Sequence, residues 1–153
     1  MAKTTAFKHQ KADDSAGFLL WKITSLWQSK LTTVLDVFDI NQTQFAILAS
    51  LKWFEEHKEE TSQAHIVEHA KIDKMTVSKS LRKLELKNII TRSRSNNDAR
   101  ALNITFTATG KKIVNKAITA IEQADDEFFS GFNTTQLAAY KKLTLNIIKH
   151  NLI

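Results

Sequence analysis

Two patterns of side chains in this chain have the types and spacing to do chemistry. His65-Ile66-Val67-Glu68-His69 spells H-x-x-E-H, the zinc signature of an inverted zinc protease. Two histidines four apart on one helix can share a metal ion. The second pattern is cationic: Lys74, Lys79, Arg82 and Lys83, followed by Arg92, Arg94 and Arg100. Between Lys71 and Lys112 lie eleven of the 22 lysines and arginines, against three acids, Asp73, Glu85 and Asp98. That window carries +8 and the remainder −2, for a total of +6. A basic segment of this kind is an electrostatic footprint for DNA.

Other chemistry is poorly provided for. Asp125-Asp126-Glu127 offers carboxylates, but three consecutive acids point around a helix and read as a solvated face. With three scattered glycines there is no Walker A loop and no Gly-rich phosphate loop, and no nucleophile elbow is present. Cysteine is absent, which removes thiolate catalysis, disulfides and thiol redox switching.

The elements that must position the cations follow from periodicity. Helices are expected over about Gly17–Val37, from Asn41 through Trp53, from Thr61 or Ser62 to His69, and from a cap at Asp73 to Lys87. In the last of these, Val77, Leu81 and Leu84 form an apolar stripe, and Met75, Ser78, Lys79 and Arg82 lie opposite. Thr91–Arg94 and Ala101–Thr107 read as strands, with Leu102, Ile104 and Phe106 alternating inward and Ser95–Ala99 at the turn. Two further helices follow, Thr109–Phe129 and Gln136–Asn151. The order helix, turn, basic helix, hairpin is that of a winged helix-turn-helix. On it, the H-x-x-E-H stretch is the short bracing helix with no catalytic scaffold around it. Two ordinary histidines are the expected reading of that stretch, with a metal-responsive site at His65, Glu68 and His69 as the alternative.

Length and composition agree with one soluble domain: 153 residues, 42% hydrophobic, 25% charged, no proline. No apolar run approaches the ~18 residues needed to span a bilayer. Met1–Asp14 is polar without an apolar h-region, so no secretory signal is expected and the cytoplasm is the default compartment.

At this point the chain resembles the MarR family of bacterial transcription regulators. The resemblance rests on Asn41–Leu48, on Ile66-Val67-Glu68 with Asp73–Ser78 and Leu84-Glu85, and above all on the wing. There, Ile89-Ile90-Thr91-Arg92 precedes an Asp98-Ala99-Arg100 tip and Phe106-Thr107-Ala108-Thr109-Gly110. Departures are Asn88 and Lys71 where glycine is common, Ala99 in place of the middle arginine, and Phe106 in place of leucine. Asn88 can still adopt a left-handed backbone.

The resemblance implies a homodimer whose terminal helices intertwine and whose two winged units read a pseudo-palindrome in double-stranded DNA. Helices 17–40 and 109–153 would dimerise around a winged unit 41–108, with residues 1–16 a flexible tail. The density of Phe128, Phe129, Phe132, Leu137, Tyr140, Leu143, Leu145, Ile147 and Ile148 near the chain end supports an interface independently.

The expected fold is thus mostly α with a small β-hairpin wing. Met75, Ser78, Lys79 and Arg82 are expected in the major groove, and Arg100 or Arg94 in the minor groove, with Asp98 orienting Arg100 by ion pairing. Lys74, Thr76, Lys83 and Arg92 are expected at phosphates. Trp21, Trp27, Phe45 and Trp53 are candidates to line a pocket for a small aromatic effector, although aromatics at helical spacing are more simply core. No cofactor is expected. The leading function is a repressor released by a small molecule; the alternatives are a winged-helix interaction module with only non-specific DNA or anion binding, or a metal-responsive regulator.

Overall fold

The computed structural model describes residues 5–57, 59–98 and 100–152. Ala99 of the expected wing tip, Met1–Thr4 of the expected tail, Lys58 and Ile153 lie outside the described residues. Six helices and one antiparallel hairpin make up the fold: α1 (Ala16–Asp36), α2 (Gln42–Glu56), α3 (Gln63–Ala70), α4 (Lys74–Leu86), β1 (Ile90–Arg94), β2 (Leu102–Phe106), α5 (Ala108–Phe128) and α6 (Thr134–Asn151). A short 3-10 turn, Ala12–Asp14, precedes α1, and Asp13 pairs with Lys22 at 2.8 Å. No helix among the described residues is long and apolar enough to cross a membrane.

Each α-helix starts on a polar cap. Ser15, Asn41, Ser62, Asp73, Thr107 and Asn133 all accept an amide N–H three residues on. Such a cap contributes about 1 kcal/mol. Asn41 and Gln44 form a reciprocal capping box. Three non-glycine residues take the left-handed backbone that ends or redirects a helix: Asp39 (φ 54°), Lys71 (φ 54°) and Asn88 (φ 57°). Asn88 does so where the sequence anticipates it. Lys71 does so in the tight turn between α3 and α4.

The core gathers behind α4. Val77, Leu81 and Leu84 are fully buried, as their spacing predicts, against Leu48, Leu51, Ile66, Ile89, Ile90, Ile104 and Val114. The apolar residues of α2 do not share one environment. Ile47, Leu48 and Leu51 are buried and Trp53 is 42% exposed. Because α2 carries apolar residues on most of its circumference, its sequence does not choose a face.

β1 and β2 pair in the register Ile90↔Phe106, Arg92↔Ile104 and Arg94↔Leu102. Ile104 and Phe106 turn inward, whereas Leu102, expected inward by alternation, is exposed near the tip. The middle of β2 is bound outside the ribbon as well: Ile104 N–H donates to the Thr61 carbonyl at 2.8 Å.

β2 runs directly into α5. Thr107 Oγ1 donates to the Asn88 carbonyl at 2.6 Å and accepts the Gly110 N–H at 2.9 Å. A Cβ at Gly110 would lie 1.9 Å from the Ile89 carbonyl oxygen, so only glycine lets α5 begin here. The Thr-x-x-Gly sequence is thus a helix start wedged against the end of α4. By contrast α6 buries no side chain among the described residues, and α1 buries only Leu35.

Candidate nucleic-acid interface

The outward face of α4 is the expected one. Met75 is 69% exposed, Lys74, Lys79, Arg82 and Lys83 are exposed, and Ser78 is half-buried at its edge. Asp73 starts the helix as its cap: its carboxylate accepts the Thr76 N–H at 2.9 Å and the Thr76 hydroxyl at 2.6 Å. The hydroxyl expected to meet a phosphate therefore donates to the cap instead. Thr76's hydroxyl, followed by its amide, holds the Asp73 carboxyl below the usual carboxylate range.

Several acids on this side of the molecule are turned onto partners within the chain. Glu85 accepts both Nε (3.1 Å) and Nη2 (2.9 Å) of Arg92. Arg92, expected at a phosphate, is largely buried and bolts β1 to the end of α4. Glu68 pairs with Lys71. Glu60 turns toward the wing tip, where it accepts the Ser95 hydroxyl, the Asn96 N–H at 3.0 Å and the Asn97 side-chain amide at 3.0 Å. Asp98 holds Arg100 through the backbone, accepting the Arg100 N–H at 2.9 Å. Among the described residues no ion pair joins their side chains, so the expected Asp98–Arg100 pairing is absent.

What remains is a run of unpaired cations. Among the described residues, Lys79, Arg82, Lys83, Arg94 and Arg100 have no carboxylate partner. A groove of about 510 Å3 separates α3 and α4 from the wing, with Lys74, Arg92 and Arg100 around an apolar floor that includes Val67, Leu102 and Ile104. A protruding helix and a ribbon, both cationic, with a groove between them, suit a polyanion of regular shape.

The other expected sites separate. His65 Nδ1 serves the N-terminal cap of α3, accepting the Ser62 N–H at 3.3 Å, and Glu68 faces Lys71. His69 Nδ1 lies 2.9 Å from Ser50 Oγ, its ring stacked on Trp53 at 5.0 Å. Each of the three has a different partner, and no group of three or more His, Cys, Asp or Glu able to hold a metal occurs among the described residues. The four aromatics also part company. Trp21 is 71% exposed, Phe45 packs on the core, and Trp53 stacks on His57 at 3.9 Å. Trp27 meets Phe128 at 5.1 Å. It lines a small cleft of about 180 Å3 with Phe128, Phe129 and Tyr140.

Glu85 and Glu60 are the residues that sequence reasoning passed over. Both act on partners across turns, seven and 35 or more residues away, where no helical or strand period applies.

Residues 36–123 match a family model described as an ArnR1-like winged-helix domain. YdcH of Bacillus subtilis, an HTH-type transcriptional regulator, is 34% identical over 123 residues, covering 80% of this chain and 84% of that protein. The HTH-type transcriptional repressor Rv2887 of Mycobacterium tuberculosis is 24% identical over 133 residues, 86% of this chain and 93% of that one.

Among solved structures, the Staphylococcus aureus MepR–DNA complex superimposes with a TM-score of 0.80 at 24% identity, over 89% of this chain and 98% of that one. Bordetella bronchiseptica BpsR, whose DNA binding is regulated by 6-hydroxynicotinic acid, gives 0.77 at 20% identity over 91% and 96%. Escherichia coli MarR gives 0.70 at 18% identity over 87% and 96%. These structural likenesses establish the fold.

Proposed function

The chain belongs to the MarR family of winged helix-turn-helix transcription regulators, which are not enzymes, and from that premise we propose that it is a sequence-specific repressor of transcription. The observation that carries the reading is the cationic face of α4 and the wing, without carboxylate partners among the described residues, while several nearby acids are engaged within the chain. A helix with polar and basic residues outside and Val77, Leu81 and Leu84 behind fits the major groove. Met75, Ser78, Lys79 and Arg82 meet base edges there, Arg82 as a fork and Met75 against a thymine methyl. Lys74 and Lys83 meet phosphates. Arg100, flanked by Arg94, enters the adjacent minor groove.

The protein works as a homodimer on a pseudo-palindrome with half-sites about one helical turn apart, roughly 10 bp. In support, α1 leaves Phe18, Leu20, Trp21 and Leu26 exposed, and α6 leaves Leu143, Leu145, Ile147 and Ile148 exposed. Large apolar side chains left open along two helices mark an interaction surface. A small aromatic effector completes the proposal. The cleft of about 180 Å3 beside Trp27, with Phe128, Phe129 and Tyr140 in its lining, offers aromatic surface to such a ligand. A cytoplasmic location goes with this role.

Selection of duplexes from a random-sequence pool by the full chain tests the reading. A shared pseudo-palindrome is the expected result; salt-steep recovery without any shared sequence would reduce the protein to a non-specific anion binder. Arg82→Ala should cost about 1–3 kcal/mol on the selected site and relax specificity at one base position. An equal loss on all sequences would make Arg82 a phosphate contact.

A further inference from the structure

The wing is held at its tip by a side chain that belongs to neither of its strands. A two-stranded ribbon alone is marginal in water, and the connection from Ser95 to Ala101 is long for a hairpin. Glu60 reaches it from the segment before α3 and engages Ser95, Asn96 and Asn97. Ser95 Oγ relays the constraint by accepting the amides of Asn97 and Asp98, each at 3.1 Å. Asp98 then holds the Arg100 amide.

Glu60 is itself fixed at its root. The next residue, Thr61, is buried, accepts the Ile104 N–H from β2, and donates its own N–H to Asn103 Oδ1 at 3.2 Å. The segment that starts α3 is thus joined to the wing at two heights, the middle of β2 and the tip. Two attachments fix an angle where one would leave a pivot. The tip donors, the Ser95 hydroxyl first, also hold the Glu60 carboxyl below its usual range, so the contact persists in mild acid.

We propose that Glu60 is a positioning residue for the wing: its carboxylate fixes the tip loop so that Arg100 stands at one place on the DNA, and it thereby sets discrimination at the outer flanks of the site. The proposal rests on the reading that the wing meets the minor groove. Its sign is unusual. By charge alone, removing an acid beside a DNA-binding surface tightens binding to every duplex. Positioning demands the opposite, and only where the wing lands.

The test uses the full chain with two duplexes: one selected by the parent protein from a random pool, and one of the same core with its A·T flanks replaced by G·C. Glu60→Gln should bind the A·T-flanked duplex about tenfold more weakly and the other nearly unchanged. Ser95→Ala, which alters no charge, should do the same. Hydrogen exchange at the Asn96 and Asp98 amides should quicken in both variants. Neither substitution should add to Arg100→Ala, because each acts through that arginine.

Tighter binding of Glu60→Gln to both duplexes, equal losses on both, additive losses with Arg100→Ala, or unchanged exchange at the tip each overturns the proposal. If Arg100→Ala weakens the A·T-flanked complex while Glu60→Gln and Ser95→Ala do not, the positioning role alone falls. If Arg100→Ala changes neither affinity, the minor-groove reading of the wing falls with it.

Discussion

Alanine at position 110 would place a methyl carbon 1.9 Å from the Ile89 carbonyl oxygen and 2.8 Å from its carbonyl carbon. Ordinary contact begins at 3.4 Å, so the space is short by about 1.5 Å (3.4 less 1.9). Ile89 cannot yield easily. Its side chain is buried, its N–H donates to Leu84, and its carbonyl accepts the Thr107 N–H at 3.0 Å. Overpacking a filled core costs about 1–3 kcal/mol, and contact with backbone puts Gly110→Ala near the top of that range. For a chain of this length each kcal/mol lowers Tm by roughly 2–4 °C, which gives a fall of roughly 6–12 °C. Gly131 supplies the control: nothing lies within 4 Å of its added Cβ and its φ is not positive. Gly131→Ala should be neutral or stabilise by up to about 1 kcal/mol. Melting both variants and the parent by circular dichroism, at one protein concentration, decides the matter. A Gly110→Ala protein that melts with the parent would refute the wedge.

Three other outcomes follow from the same contacts. Lys71→Gly relieves a left-handed non-glycine backbone and should stabilise the chain by about 0.5–1 kcal/mol in urea unfolding, the exposed Glu68 pair it loses being worth little; a lower urea midpoint would contradict this. Glu85→Ala strands the largely buried Arg92 guanidinium and should cost about 1 kcal/mol, read the same way, and an unchanged midpoint would show the pair to be ornamental. The Lys111 ammonium, with Lys52, holds the Glu55 carboxyl below its ordinary 4.5. A depressed carboxyl stabilises the fold above its ordinary value and ceases to as pH falls through the lowered one. The Tm gap between the parent and Lys111→Met should therefore be full at pH 7 and shrink below about pH 4.5; a gap independent of pH would sink the assignment.

Much of the fold is legible in the sequence because it is local. The α4 stripe, the Asp73 cap, the Asn41–Gln44 box and the left-handed Asn88 each depend on residues within a few positions of one another. The cationic face of α4 is legible for the same reason, since a helix with one apolar stripe has only one way to turn. The buried face of α2 is not, because Ile47, Leu51 and Trp53 are all apolar and only packing in the folded chain separates them. The partners of the charges are hidden for a different cause. Arg92 looks like any wing arginine until the chain folds Glu85 back onto it, and Glu60 reads as one acid in a charged break. The alternation of β2 fails at Leu102 because the sheet there has no core left to face.

The join between β2 and α5 leaves the chain no slack. Thr107 caps α5 while holding Asn88, and Gly110 rests on Ile89, so α4, the base of the wing and the first turn of α5 move as one body. In the proposed dimer, α5 is then a lever rather than a spacer. Its 21 residues make an arm of about 31 Å, on which a tilt of about 5° sweeps the far end through about 3 Å. The distance between two α4 helices would be governed by a single crossing angle. A ligand seated beside Trp27, near the opposite end of that arm, could detune the spacing without approaching the DNA.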